Sequence, residues 1–242
     1  NFDKTVETGE KLLAIDPKDL PSLLTLASIL PERLPADDAK KAEQLDKAQG
    51  FAERALTEIN ALQKPAGSTM TDEQWTNEKN KLLSSVYSST GLIFLNKKDY
   101  NKSIEQYSLA TNLNQTNPID FYRLGISYTF LARNAAKELN ELVTNINALQ
   151  VELQSVTDPA VKEEKEKKLT ELKAKQAEDE KKFPENRDKG ITALAKSVFL
   201  KGVTEQQARS QLEALYKSKN NNSLDGLDAV IQKAGAELKK PA

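Results

Sequence analysis

Apolar residues recur three and four positions apart along nearly the whole chain, which is the spacing of a helix that buries one face. Phe2, Thr5, Gly9, Leu12 and Ile15 line one face of residues 1–16, and Asp16-Pro17 follows. Leu23, Leu26, Ala27 and Leu30 mark a second helix over 20–30. Pro31 and Pro35 end it, because proline cannot continue a helix. Leu45, Ala48, Ala52 and Ala55 belong to a third helix over 39–62. A loop with Pro65, Gly67 and Ser68 comes next, and a helix starts at Thr71 or Asp72. Residues 79–96 and 99–114 form a further pair, and Pro118 opens another helix at the first-turn position that proline favours. No stretch alternates as a strand would, so the chain is expected to be all-α.

Beyond Ala132 the pattern changes. Leu139, Leu142, Ile146, Leu149, Leu153 and Val156 follow one another at alternating steps of three and four, a heptad seam. Thr157-Asp158-Pro159 breaks the helix, and a charged stretch returns through Val161, Leu169, Leu172 and Phe183. Arms over 134–156 and 161–183 would each be about 35 Å long at the rise of an α-helix. The simplest geometry is an antiparallel coiled-coil hairpin, with the interrupted helix pair resuming after Pro184. The alternating charges of 163–182 read as a solvated face. The alkyl stems of Lys165, Lys168 and Lys175 are expected to cover the apolar stripe of the outgoing arm. Thr204 is placed to cap a helix carrying Ala208, Leu212, Leu215 and Tyr216. Asn220-Asn221-Asn222 makes a turn, and Ser223 is placed to cap a last helix through Leu227, Val230, Ile231 and Leu238.

The chain also repeats itself. Shifting residue 84 onto 118, 34 positions on, places Tyr87 on Phe121, Thr90 on Leu124, Gly91 on Gly125 and Phe94 on Tyr128. Asp99-Tyr100-Asn101-Lys102-Ser103-Ile104, with Tyr107, Ala110 and Leu113, matches Asn186-Arg187-Asp188-Lys189-Gly190-Ile191, with Leu194, Ser197 and Leu200. These residues resemble the tetratricopeptide repeat, a helix–turn–helix unit of about 34 residues. The resemblance spans 1–133 and 184–200. It is tightest at Tyr87, Gly91, Tyr107, Ala110, Phe2 and Asp16-Pro17, and looser at Thr90 and Ser103, where the family prefers Leu and Ala. It implies a TPR-like α-solenoid of antiparallel helix pairs over 1–133. A coiled-coil hairpin insertion (134–183), the second helix of the last repeat (184–203) and C-terminal capping helices (204–242) would follow. It also implies that the first helix of each repeat lines a concave groove. Those faces carry Ser85, Ser88, Ser89, Leu92, Leu95 and Asn96 in one repeat and Ile119, Tyr122, Arg123, Ile126 and Thr129 in the next. Some family members clamp a peptide carboxylate there. Only Arg123 matches that clamp, since Ser88 and Leu92 stand at the Lys and Asn positions.

Composition narrows the chemistry. With no His and no Cys, His-based triads, disulfides and the common zinc sites are excluded. Lys+Arg of 35 against Asp+Glu of 36 gives no basic excess to attract a phosphate backbone, so nucleic acid is not an expected partner. The apolar run 20–30 is too short to span a bilayer. Carboxylate pairs such as Asp37-Asp38, Glu163-Glu164 and 178–180 fall in charged runs that read as solvated surface. Trp75 reads as a core residue, and Tyr122 with Arg123 as groove anchors or as packing against the next helix. The expected function is therefore non-catalytic: a scaffold that binds a protein or peptide in the groove, without cofactor or metal, with the hairpin as a second contact. An alternative is a structural protein that forms homo-oligomers through the hairpin, and a carboxylate-only enzyme is a third. Asn1-Phe2-Asp3 reads as the middle of a unit, so a preceding segment is expected, and a bacterial envelope location is slightly favoured over the cytoplasm.

Overall fold

The computed structural model describes residues 1–238, which form ten α-helices and one 3-10 turn, with no strand among the described residues. In order they are α1 (Phe2–Ile15), α2 (Leu20–Ile29), the 3-10 turn (Leu30–Glu32), α3 (Asp38–Ala61), α4 (Asp72–Asn96) and α5 (Tyr100–Leu113). There follow α6 (Pro118–Ser155), α7 (Pro159–Asp179), α8 (Lys182–Leu200), α9 (Glu205–Lys219) and α10 (Leu227–Ala236). Most starts are chemically marked. Asp19, Asp37, Asp99, Asn117 and Asp158 each accept a hydrogen bond from a first-turn backbone N–H. Thr71 and Gln74 form a reciprocal capping box at α4.

Two apolar clusters anchor the ends of the molecule. Leu23, Leu26, Leu45 and Ile59 lead the cluster of α1–α4, and Leu194, Leu212 and Ile231 that of α8–α10. A smaller cluster of Leu92, Tyr107, Leu124 and Ala193 lies between them. Burying one such leucine contributes about 2 kcal/mol, so each end cluster outweighs the middle one.

The helix pairs α4–α5 and α6–α8 meet in the same way. A Cβ added to Gly91 would lie 2.9 Å from ring carbons of Tyr107, and one on Gly125 would lie 2.5 Å from Cγ of Leu194. The Ser84 hydroxyl donates to the Ala110 carbonyl (3.0 Å) in the first pair. In the second, the Ser197 hydroxyl donates to the Pro118 carbonyl (2.8 Å). Ser84 and Pro118 are 34 positions apart, as are Gly91 and Gly125, while Ala110 and Ser197 are 87 apart, as are Tyr107 and Leu194. One seam is thus built twice, with serine donor and carbonyl acceptor exchanged. Buried Ser103 extends it, donating to the Gly91 carbonyl (3.0 Å) and lying 2.8 Å from the Ser127 hydroxyl of α6.

The two pairs differ in their connection. Lys97, Lys98 and Asp99 join α4 to α5, whereas α6 runs on to Ser155 and α7 returns beside it. Leu142, Ile146 and Leu149 are buried along this arm, and Leu139, Leu153, Val156, Leu169 and Leu172 are half-buried. Lys165 reaches across to pair with Glu152. The stripe is therefore mostly covered, although Val151 remains 67% exposed.

Several details depart from the sequence reading. On α1 the buried residues are Gly9 and Leu13, while Leu12 and Ile15 are exposed (46% and 83%). The break before α8 falls at Glu180–Lys181, and Pro184 sits inside the first turn of α8. A first-turn N–H has no partner within the helix, so proline costs little there. Trp75 belongs to none of the apolar clusters: it is half-buried, on the early turns of α4, which begin well before the stretch paired with α5. Thr204 stands at the start of α9 without capping it, and its hydroxyl is buried and unpartnered. Ser223 binds the backbone N–H of Asp225 within a turn instead of capping α10 (3.0 Å). Gly226, at φ +84, starts that helix, and Leu238 lies past its end. Residues 239–242 of the C-terminal capping segment lie outside the described residues.

Candidate functional site

The faces of α2, α4 and α6 that point away from the seams converge on a polar hollow of about 220 Å³. Its α4 wall is a row of serines, Ser85, Ser88 and Ser89, followed by Leu92, with the seam residue Ser84 at its edge. Residues 85, 88, 89 and 92 share one helix face because they repeat at three- and four-residue steps. From α6 come Asp120 and Arg123, one turn apart, and from the other side Ser28 and Glu32.

Asp120 organises the floor. It lies in the first turn of α6 and is 0% exposed. The Ser88 hydroxyl donates to one of its carboxylate oxygens and the Asn117 amide to the other (2.7 Å). Burial pushes the Asp120 carboxyl above the ordinary carboxylate range, against the opposing pull of those two bonds and of Arg123. Arg123 spans the hollow, with Nη2 at 2.7 Å from Glu32 Oε1. The Asn96 amide ties α4 to the 3-10 turn by donating to the Pro31 carbonyl (2.9 Å). Beneath Arg123 the Tyr107 ring is fully buried, and its hydroxyl has no hydrogen-bond partner. That burial pushes the phenol well above its usual range.

Of the residues singled out from sequence, Ser85, Ser88, Ser89, Leu92 and Arg123 line this hollow together. Asn96 is spent on the Pro31 carbonyl, and Ile126 is half-buried without lining the hollow. Tyr122 is turned away, since its ring packs against the α8–α10 cluster. Thr129 is buried and donates to the Gly125 carbonyl of its own helix (2.8 Å). Asp120 and Glu32 escaped the sequence reading. An acid in the first turn of a helix looks like an ordinary complement to the helix dipole. The Arg123–Glu32 pair closes across 91 residues, a distance at which no local pattern carries a signal.

Chemically the hollow offers hydroxyls, a guanidinium and the Lys81 ammonium at its rim, over a floor whose carboxylate is already satisfied. Such a surface presents hydrogen-bond donors and acceptors to any polar group that enters it. Among the described residues no group of three or more acidic side chains is placed to hold a metal ion, and no helix is long and apolar enough to cross a membrane. No protein-family model matches the chain, and no curated protein matches it.

Proposed function

We propose that this chain is a tetratricopeptide-type scaffold of stacked helix pairs that binds a protein segment in the groove between α2, α4 and α6. The observation that carries this reading is the twice-built seam. Gly91 with Tyr107 and Gly125 with Leu194 recur at fixed offsets and aim the serine face of α4 and the Arg123 face of α6 into one hollow. A scaffold needs a preformed, polar and open surface, because binding energy is otherwise spent on ordering it. The reading is non-catalytic: Asp120 is wholly buried, with both oxygens engaged, so it positions Ser88 and does not reach a substrate. The covered stripe of the α6–α7 arm favours a second contact over self-association, because Leu142, Ile146 and Leu149 are already buried within one chain.

The test is selection of binding peptides from a random display library on the whole chain, repeated with Ser85→Trp, which fills the hollow from an exposed position. Peptides that bind the unaltered chain and lose at least about tenfold in affinity for the variant support the groove. Peptides that bind both chains equally contradict it.

A further inference from the structure

A second hollow of about 480 Å³ opens on the neighbouring face of α6, between α5, α8 and the end of α10. Its origin is the seam itself. Gly125 and Gly190 draw α8 tightly onto α6, and the small middle cluster fills only part of the space left beside α5. The floor is apolar, made by Phe121, Leu124 and Tyr128, one stripe of α6, with Ala193 of α8. Such a volume and lining fall in the range of ligand pockets.

Charge is concentrated on one edge. Lys189 and Lys196 stand two turns apart on the same face of α8, with Thr192 between them. Lys189 is in no ion pair among the described residues. The nearby Asp188 carboxylate is already held by Lys219 (2.8 Å) and Arg187 (3.0 Å). Lys196 lies 5.9 Å from the Phe121 ring centroid and pairs at 3.2 Å with Glu237, which begins the tail after α10. The next residue, Leu238, forms part of the same wall. The end of α10 is seated on α8, because Gly235 packs directly against the Phe199 ring. Glu237 and Leu238 thus bring an acid and an aliphatic group to the edge of a hollow that has ammoniums on its rim and an apolar floor.

We propose that this hollow docks a partner peptide presenting an acidic side chain next to a large apolar one, and that Glu237 competes with it for Lys196. The probe is a fluorescein-labelled heptapeptide with a central Glu-Phe pair, read by fluorescence anisotropy on the full chain, with a Lys-Phe peptide as control. Glu237→Gln is expected to tighten binding of the acidic peptide about threefold, the worth of one half-exposed ion pair. Charge reversal at both Lys189 and Lys196 is expected to weaken it more than about tenfold. Thr192→Trp, at an exposed rim position, is expected to abolish it while the helical circular dichroism stays unchanged. Ser85→Trp is expected to leave it untouched, which separates this hollow from the groove. The proposal is overturned by any of four results: no saturable binding to the Glu237→Gln chain, equal binding of the two peptides, no gain from Glu237→Gln, or binding that survives Thr192→Trp.

Discussion

The pairs α4–α5 and α6–α8 share a seam but not a connection. Three residues close the first pair, while in the second the chain leaves for a two-helix arm and comes back. Yet both meet at a glycine, both carry one serine-to-carbonyl bridge at matching positions, and both hold their first helix facing the polar hollow. A helix pair in this protein is therefore specified by its interlocking residues and not by its turn. The physics permits this because the entropy of closing a loop grows only logarithmically with length. An arm that packs its own stripe adds further order of its own.

Breaking the glycine seats should produce the largest effects. Gly125→Ala pushes a methyl into Leu194 with the backbone close behind, and a loss of about 2–3 kcal/mol is expected from urea unfolding. Gly91→Ala drives a methyl against the fully buried Tyr107 ring at 2.9 Å, a lesser overlap than the 2.5 Å at Leu194, and should cost somewhat less. Gly50, in the middle of α3 with open space around it, is the control: Gly50→Ala should stabilise the chain by about 0.5–1 kcal/mol through helix propensity.

Replacing residues 134–183 by a three-residue turn sharpens the comparison next. The α6–α8 pair should survive with a change below about 2 kcal/mol. Light scattering should give the same oligomeric state with and without the arm. A fall in oligomeric state on deletion would instead support self-association through the hairpin.

The exchanged serine bridges come third. Ser84→Ala and Ser197→Ala should each cost about 1 kcal/mol, and by similar amounts, since each removes one buried serine-to-carbonyl bond across the same pair of seam positions, with donor and acceptor exchanged.

The smallest effect concerns Asp120. Its folded-state carboxyl is raised by burial, so the folded chain holds that proton to higher pH than the unfolded chain does. Between the two values the unfolded state binds fewer protons, and this group's contribution to stability falls as pH rises above the ordinary carboxylate range. Asp120→Asn should remove that component, visible as a flatter urea midpoint between weakly acidic and neutral pH.

Local signals were legible in sequence to the extent that the physics is local. Helix faces, the proline stop after α2 and the start of α4 at Thr71 depend on neighbours a few residues away. The glycine seats were legible because the chain states them twice. Long-range pairing was not: Glu32 meets Arg123 only after three helices have packed, and Asp120 is buried by a serine on another helix. Tyr122 was ambiguous for the same reason. Its helix face was known, but which neighbour would cover that face depends on the return of α8 after the arm. Thr204 has the residue type of a cap without the geometry, since its hydroxyl is enclosed with no N–H to meet.

The central claim is that the two helix pairs are copies of one interlocking unit, and a pair of double-mutant cycles tests it most directly. Gly91→Ala is combined with Tyr107→Leu, and Gly125→Ala with Leu194→Val, with stability read from urea unfolding. The account predicts that trimming the partner relieves the glycine substitution in both pairs, with a coupling of about 1 kcal/mol of the same sign. Additive losses in both cycles, or coupling of opposite sign in the two, would contradict it.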